Sequence, residues 1–254
     1  YFFPSQLNNH GGEFPYTFFG LNPEAKKEEI KQCLEDFTKG DNHLLDHSQA
    51  YKIDLDTGWD VPPGILHAPA SLCTYEPQFA SDVYAMYQSI LPNGQCLDES
   101  LLWKNTPKEE IGNYDYLLDV IDWDANVDKD FKKHHFMKPI VIIKNEKYCE
   151  EWICYLCNKV CAKRLTIYPG AKVTIKDEAA YGLIMLQGHG KLNEFDIETP
   201  ALIRYGQLTN DEFFISEKAA KKGVVIENSS DSDPIVMLKH FSENKELERF
   251  WNNK

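Results

Sequence analysis

From residue 140 onward, apolar and polar positions alternate in short segments: PIVIIK, WICYL, RLTIYPG, AKVTIKD, YGLIMLQGHGKL, ALIRYG, EFFIS, GVVIEN and PIVMLKHF. Period-two alternation turns one side of a segment to a core and the other to solvent, so these read as roughly eight to ten β-strands. Pro169-Gly170, Gly188-His189-Gly190, Asn210-Asp211 and Ser229-Ser230-Asp231 read as the turns between them. Short strands so evenly spaced predict a sandwich or a jelly-roll barrel.

Before residue 140 the pattern is less regular. Asn8 to Gly20 is turn and strand material, followed by the clearest helix, with Asn22 as N-cap, Pro23 as first helical residue and EAKKEEIKQCLEDF behind. Ile30, Cys33, Leu34 and Phe37 fall on one stripe at helical spacing, and Thr38 to Asn42 ends the element. From Leu44 to Leu91 short strands suggest an antiparallel unit, closed by the Pro92-Asn93-Gly94 turn. Residues 98 to 139 are charged, and Lys132-Lys133-His134-His135 reads as connecting surface on which adjacent histidines point apart. The final SENKELERFWNN predicts a short amphipathic helix with Leu247, Phe250 and Trp251 together. This gives two units, 1–139 and 140–254.

A chain of 254 residues, 43% hydrophobic and 13% aromatic, buries a substantial core. Its 40 acidic against 27 basic residues give a net charge of −13, a field that repels a phosphate backbone and argues against nucleic acid as partner. No apolar run is long enough to span a membrane. The opening Tyr-Phe-Phe-Pro lacks methionine and reads as a processed product or a fragment. Seven cysteines, an odd number without framework spacing, suit a reducing compartment such as the cytoplasm. Cys149, Cys154, Cys157 and Cys161 include a C-x-x-C, yet neighbouring strand residues face opposite ways, so the four thiols are not expected to converge.

The segment from Gly58 to Asp82 carries the chemistry. Pro62-Pro63-Gly64 is a stiff reversal that delivers His67 in a defined direction, as either a metal ligand or a hydrogen-bonded strand histidine. Tyr75-Glu76-Pro77-Gln78 and Ser81-Asp82 follow.

The two halves together resemble a double cupin. Tyr168 to Lys172 and Leu186 to Gly190 are similar to the first cupin motif, and Gly223 to Asn228 with Pro234 to Leu238 to the second. Where that family carries its metal-binding His-x-His and Glu, this chain has Lys176, Asp177 and Glu178. A lysine or alanine replaces the histidine of the second motif. The C-terminal half thus resembles a cupin that has lost its metal. The N-terminal half, over residues 10 to 90, resembles the type I mannose-6-phosphate isomerases, which are zinc-dependent. Val61 to Ala68 is similar to their Pro-Ala-Gly-Thr-x-His-Ala turn, and Thr74 to Gln78 with Ser81-Asp82 to their Glu-Ile-Gln-x-x-Ser-Asp strand. Met86 stands where their arginine falls.

The resemblance implies a mainly β double-stranded β-helix bicupin with a few short helices. It implies a divalent metal, zinc, on His67, with His10 and Glu13 completing the set. Glu76 would be the acid/base in an aldose–ketose isomerisation, and Gln78 and Asp82 would face the substrate, although Asp82 also reads as a turn cap. A neutral sugar suits the acidic field better than a phosphosugar, since residues 40 to 90 hold a single cation, Lys52. The alternatives are a non-catalytic sugar-binding or regulatory bicupin and a mononuclear iron oxygenase. Pairing of two copies through their sheets is a further, open expectation.

Overall fold

The computed structural model describes residues 1–8, 16–68, 72–79, 84–157, 159–200, 205–242 and 247. Among these, nine strands after residue 139 form a curled antiparallel sheet in the order β6-β7-β8-β14-β10-β13-β9, with β11 and β12 also on β10. They are β6 (Ile140–Lys144), β7 (Tyr148–Cys154), β8 (Cys161–Ile167), β9 (Lys172–Ile175), β10 (Tyr181–Leu192), β11 (Phe195–Thr199), β12 (Glu212–Ile215), β13 (Val224–Asn228) and β14 (Ile235–Phe241). This is a jelly roll, and the chain is mainly β.

The long strand β10 makes the corner. Its first part pairs with β14 and β12, and its second part with β11 and β13. The bend falls at Gly188, whose φ is +94° and where a Cβ would lie 2.7 Å from the Pro234 carbonyl oxygen. Only glycine takes that backbone at that approach. The Gly-His-Gly expected as a turn is therefore mid-strand, with His189 paired to Glu198. A left-handed glycine redirects a strand here without ending it.

The barrel interior packs Trp152, Leu165, Ile167, Leu183, Met237 and Phe241. Leu247, fully buried, packs in the same cluster; the rest of the expected C-terminal helix, like Ala201 to Arg204, lies outside the described residues. The outer face of the same sheet is also apolar. Ile153, Ala162, Leu186, Val236 and Leu238 pack there against Phe2 and Met137 from the N-terminal part. Burial on both faces explains why β14 reads as an almost continuous apolar run. A helix that alternation did not reveal, α5 (Glu217–Lys222), sits between β12 and β13, N-capped by Ser216.

Before residue 140 the described strands are short: β1 (Tyr16–Leu21), β2 (Ser48–Lys52) and β4 (His67–Ala68) in the order β2-β1-β4, and β3 (Gly58–Trp59) with β5 (Phe136–Met137). Five such strands, two residues long in three cases, do not build a second barrel among the described residues. The helices are α1 (Lys27–Glu35), α2 (Tyr114–Asp119), α3 (Trp123–Asn126) and α4 (Phe131–His135). Helix α1 starts later than expected: Lys26 is the N-cap and Glu29 accepts from its backbone N–H, while Asn22 closes a turn onto Ala25. Ile30, Cys33 and Leu34 are its buried stripe, as the spacing predicts. An aromatic core of Phe3, Phe19, Trp59 and Phe131 holds the rest of this module together. No helix among the described residues is long and apolar enough to cross a membrane.

Candidate functional site

Polar chemistry gathers in two places, one buried and one open. The buried one is inside the barrel. Lys239 on β14 and Lys163 on β8 are directly paired across the two strands, both pointing inward. Like charges placed opposite one another repel, so their coexistence needs counter-charges. Glu150 on β7 and Asp177, two residues beyond β9, supply them. Lys239 Nζ donates to Glu150 Oε1 at 2.5 Å and to Asp177 Oδ2 at 2.6 Å; Lys163 Nζ donates to Asp177 Oδ1 at 2.9 Å. All four residues are at most 5% exposed. Aromatic faces complete the enclosure, with Lys163 4.6 Å from the Trp152 ring and Lys239 5.0 Å from that of Tyr181. The Tyr181 hydroxyl is buried without a partner, and burial, with the charges of Asp177 and Glu150, pushes its phenol far up, so it stays protonated.

The residues of this cluster do not fit a divalent metal. Both carboxylates already accept from ammonium groups, no imidazole or thiol joins them, and two cations repel a third. The four clustered cysteines do not form a site either. None of them is in a disulfide, and Cys154 packs on the outer face of the sheet while Cys161 packs inside the barrel. Burial pushes the Cys154 thiol up to about 11, away from the thiolate a metal binds.

The open place is on the N-terminal module. Gly64, with φ +84°, closes the Pro-Pro-Gly turn, and a Cβ there would meet the Asp122 backbone nitrogen at 2.8 Å. The buried Asn126 of α3 clamps this turn. Its Nδ2 donates to the carbonyls of Gly64 (2.7 Å) and Asp122 (2.6 Å), and its Oδ1 accepts from Leu66 N–H at 2.8 Å. The turn thus delivers His67 into β4 opposite Phe19 of β1. His67 is exposed, with Nδ1 against the Ile65 carbonyl at 2.9 Å.

Tyr1 stands between His67 and Glu76. Phe2 bridges Tyr75 through two backbone hydrogen bonds, of 2.8 and 2.9 Å, and the Tyr1 carbonyl accepts from Trp59 N–H at 2.8 Å. The Tyr1 ring lies 5.5 Å from the His67 ring, and its phenol is within electrostatic reach of the Glu76 carboxylate. Burial and that carboxylate push the phenol well above its usual range. Glu76 and Gln78 are exposed, two residues apart in an extended segment. Tyr1, the connecting residue, carried no motif in the sequence. His10, Glu13 and Asp82 lie outside the described residues. Among the described residues no three His, Cys, Asp or Glu side chains converge to hold a metal.

No protein-family model and no curated protein matches the chain. Solved structures do. The chain resembles the Rhodobacter sphaeroides SigE–anti-sigma ChrR complex at 10% identity over 39% of this chain and 46% of that one, with a TM-score of 0.30. A second, an RmlC-like cupin from Ralstonia eutropha, matches at 6% identity over 41% of this chain and 62% of that one, with a TM-score of 0.30. KdgF from a Halomonas species matches at 12% identity over 42% of this chain and 89% of that one, with a TM-score of 0.28. The chain spans less than two thirds of the first two. At these scores the likeness bears on neither ligand nor reaction, and the jelly-roll assignment rests on the strand order itself.

Proposed function

We propose that this chain is a non-catalytic jelly-roll protein that binds a small hydroxylated molecule of the sugar class, on the open surface of Tyr1, His67 and Glu76. The observation that carries this reading is the ion cluster inside the barrel. The barrel interior, where the cupin resemblance would lead one to expect a metal, is filled by two ammonium groups on two carboxylates. Binding chemistry is left to the exposed surface. A carboxylate there accepts from two vicinal hydroxyls, an imidazole Nε2 donates or accepts, and a tyrosine ring covers an apolar C–H face. None of these contacts needs a cofactor. The net charge of −13 favours a neutral ligand. Seven cysteines with no disulfide among them accord with a reducing compartment such as the cytoplasm.

The test is calorimetric titration with a panel of neutral aldoses and ketoses. Saturable binding that weakens about tenfold or more in Glu76→Gln and His67→Ala supports the site; absence of binding across the panel overturns it.

One observation favours a second reading, the metal-dependent aldose–ketose isomerase. Tyr1 links an imidazole and a carboxylate, and Glu76 with a protonated phenol beside it could move a proton between adjacent sugar carbons. The described residues do not assemble a metal set, so no step is drawn through one. Exchange of the sugar C2 hydrogen with deuterated water separates the readings: enzyme-dependent exchange selects the isomerase.

A further inference from the structure

We infer that a groove on the far side of the aromatic core is a binding site for a small phosphate-bearing polyanion. The groove, of about 630 Å³, is lined by Lys129, Lys132, Lys133 and Lys138, with Asp54, Asp130 and Tyr51 on its walls. Four ammonium groups thus face two carboxylates in a chain with a large acidic excess overall. None of the four lysines makes an ion pair among the described residues, whereas Lys26, Lys31, Lys39, Lys172, Lys191 and Lys221 each pair with a carboxylate. What sets these four apart is their convergence on one groove, where no carboxylate among the described residues comes within ion-pair distance of them.

The backbone under the groove is anchored. Phe131, 1% exposed, fixes α4 into the aromatic core, its ring 6.1 Å from Phe19 and 4.2 Å from His135. That leaves Lys132 and Lys133 turned outward. Lys132 Nζ rests 5.0 Å over the Phe136 ring, and the Lys138 carbonyl accepts from Tyr155 Oη at 2.9 Å. Opposite, Tyr51 is packed on Trp59 at 4.8 Å and its hydroxyl donates to Gln49 Oε1. Burial, with the charge of Asp128, pushes that phenol up to about 12. Tyr51 therefore adds no charge of its own to the wall. Ammonium point charges spread around a groove suit the several oxygens of a di- or polyphosphate better than one planar carboxylate, which a guanidinium fork recognises.

This site is separate from the sugar surface, and its test does not depend on it. The full chain is titrated with inorganic pyrophosphate, with citrate as the carboxylate comparison, alongside Lys132→Glu/Lys133→Glu and a control reversal on α5, Lys218→Glu/Lys222→Glu. The expected result is saturable pyrophosphate binding that falls at raised salt. It should weaken about tenfold or more in the first variant and persist in the control. Both variants alter exposed lysines and should keep the wild-type thermal midpoint. No saturable binding, equal binding by the groove variant, equal loss in the control, or citrate binding as tight as pyrophosphate would each overturn the assignment.

Discussion

The barrel and the N-terminal module handle charge in opposite ways. In the barrel, charges are buried, mutually bonded and closed off: Lys239 is fully buried and touches both Glu150 and Asp177. In the module, Glu76 and His67 are exposed, one linked to the rest through Tyr1 and the other held by its own backbone. The barrel interior thus satisfies its charges internally, while the carboxylate and the imidazole on either side of Tyr1 are open to solvent. That contrast makes distinct predictions for stability and for binding.

The largest effect should come from opening the barrel cluster. Lys239→Ala leaves two carboxylates buried without their shared partner and should cost about 3–5 kcal/mol in urea unfolding. Replacing all four charged residues together by leucine or methionine should be near neutral or stabilising, because no charge is then stranded. If the single variant is harmless, the cluster is wetter than its burial indicates and the contrast fails.

Next is the clamp of the module. Asn126→Ala removes two hydrogen bonds to the Pro-Pro-Gly turn and one to the Asp122 carbonyl at the start of α3, and unfolding should register about 1–3 kcal/mol. Sugar affinity should fall with it, although Asn126 touches no ligand. Unchanged affinity would show that the direction of His67 is immaterial.

A smaller effect marks the seam between the two regions. His240, on the outer face of β14, has its ring 6.2 Å from that of Tyr75 and a buried, unpartnered Nδ1. Burial lowers its pKa below the ordinary 6.5. Between the folded and unfolded values the unfolded chain binds more protons, so the neutral imidazole stabilises above about 6.5 and the contribution is lost as pH falls below it. His240→Gln should flatten the decline in stability measured from pH 7.5 to 5.5, where both values are assay choices around the ordinary histidine range. An unchanged slope would place the titrating group elsewhere. Smallest of all, His67→Ala and Glu76→Gln should alter stability by no more than about 0.5 kcal/mol.

Much of the barrel was legible because period-two alternation survives wherever a strand has one face on a core. The segments read as strands recur as β6 to β10 and β12 to β14. β11, FDIET, escaped because three of its five residues are polar or charged, and α5 because EKAAKK offers too few apolar positions for a stripe. The charge cluster was legible in principle. Lys239 shares parity with Ile235, Met237 and Phe241, and Lys163 with Cys161, Leu165 and Ile167, so counting alternation places both ammonium groups inside. In the module, the turn before His67 was readable from Pro-Pro-Gly alone. The Tyr1 contact was not, because it joins residues some 75 positions apart through a backbone bridge that leaves no local pattern.

The most direct measurement is elemental analysis of protein purified from metal-supplemented medium, paired with sugar titration before and after chelation. The account predicts no stoichiometric divalent ion and an affinity that chelation leaves unchanged. One divalent ion per chain, lost together with sugar binding in His67→Ala, would contradict it.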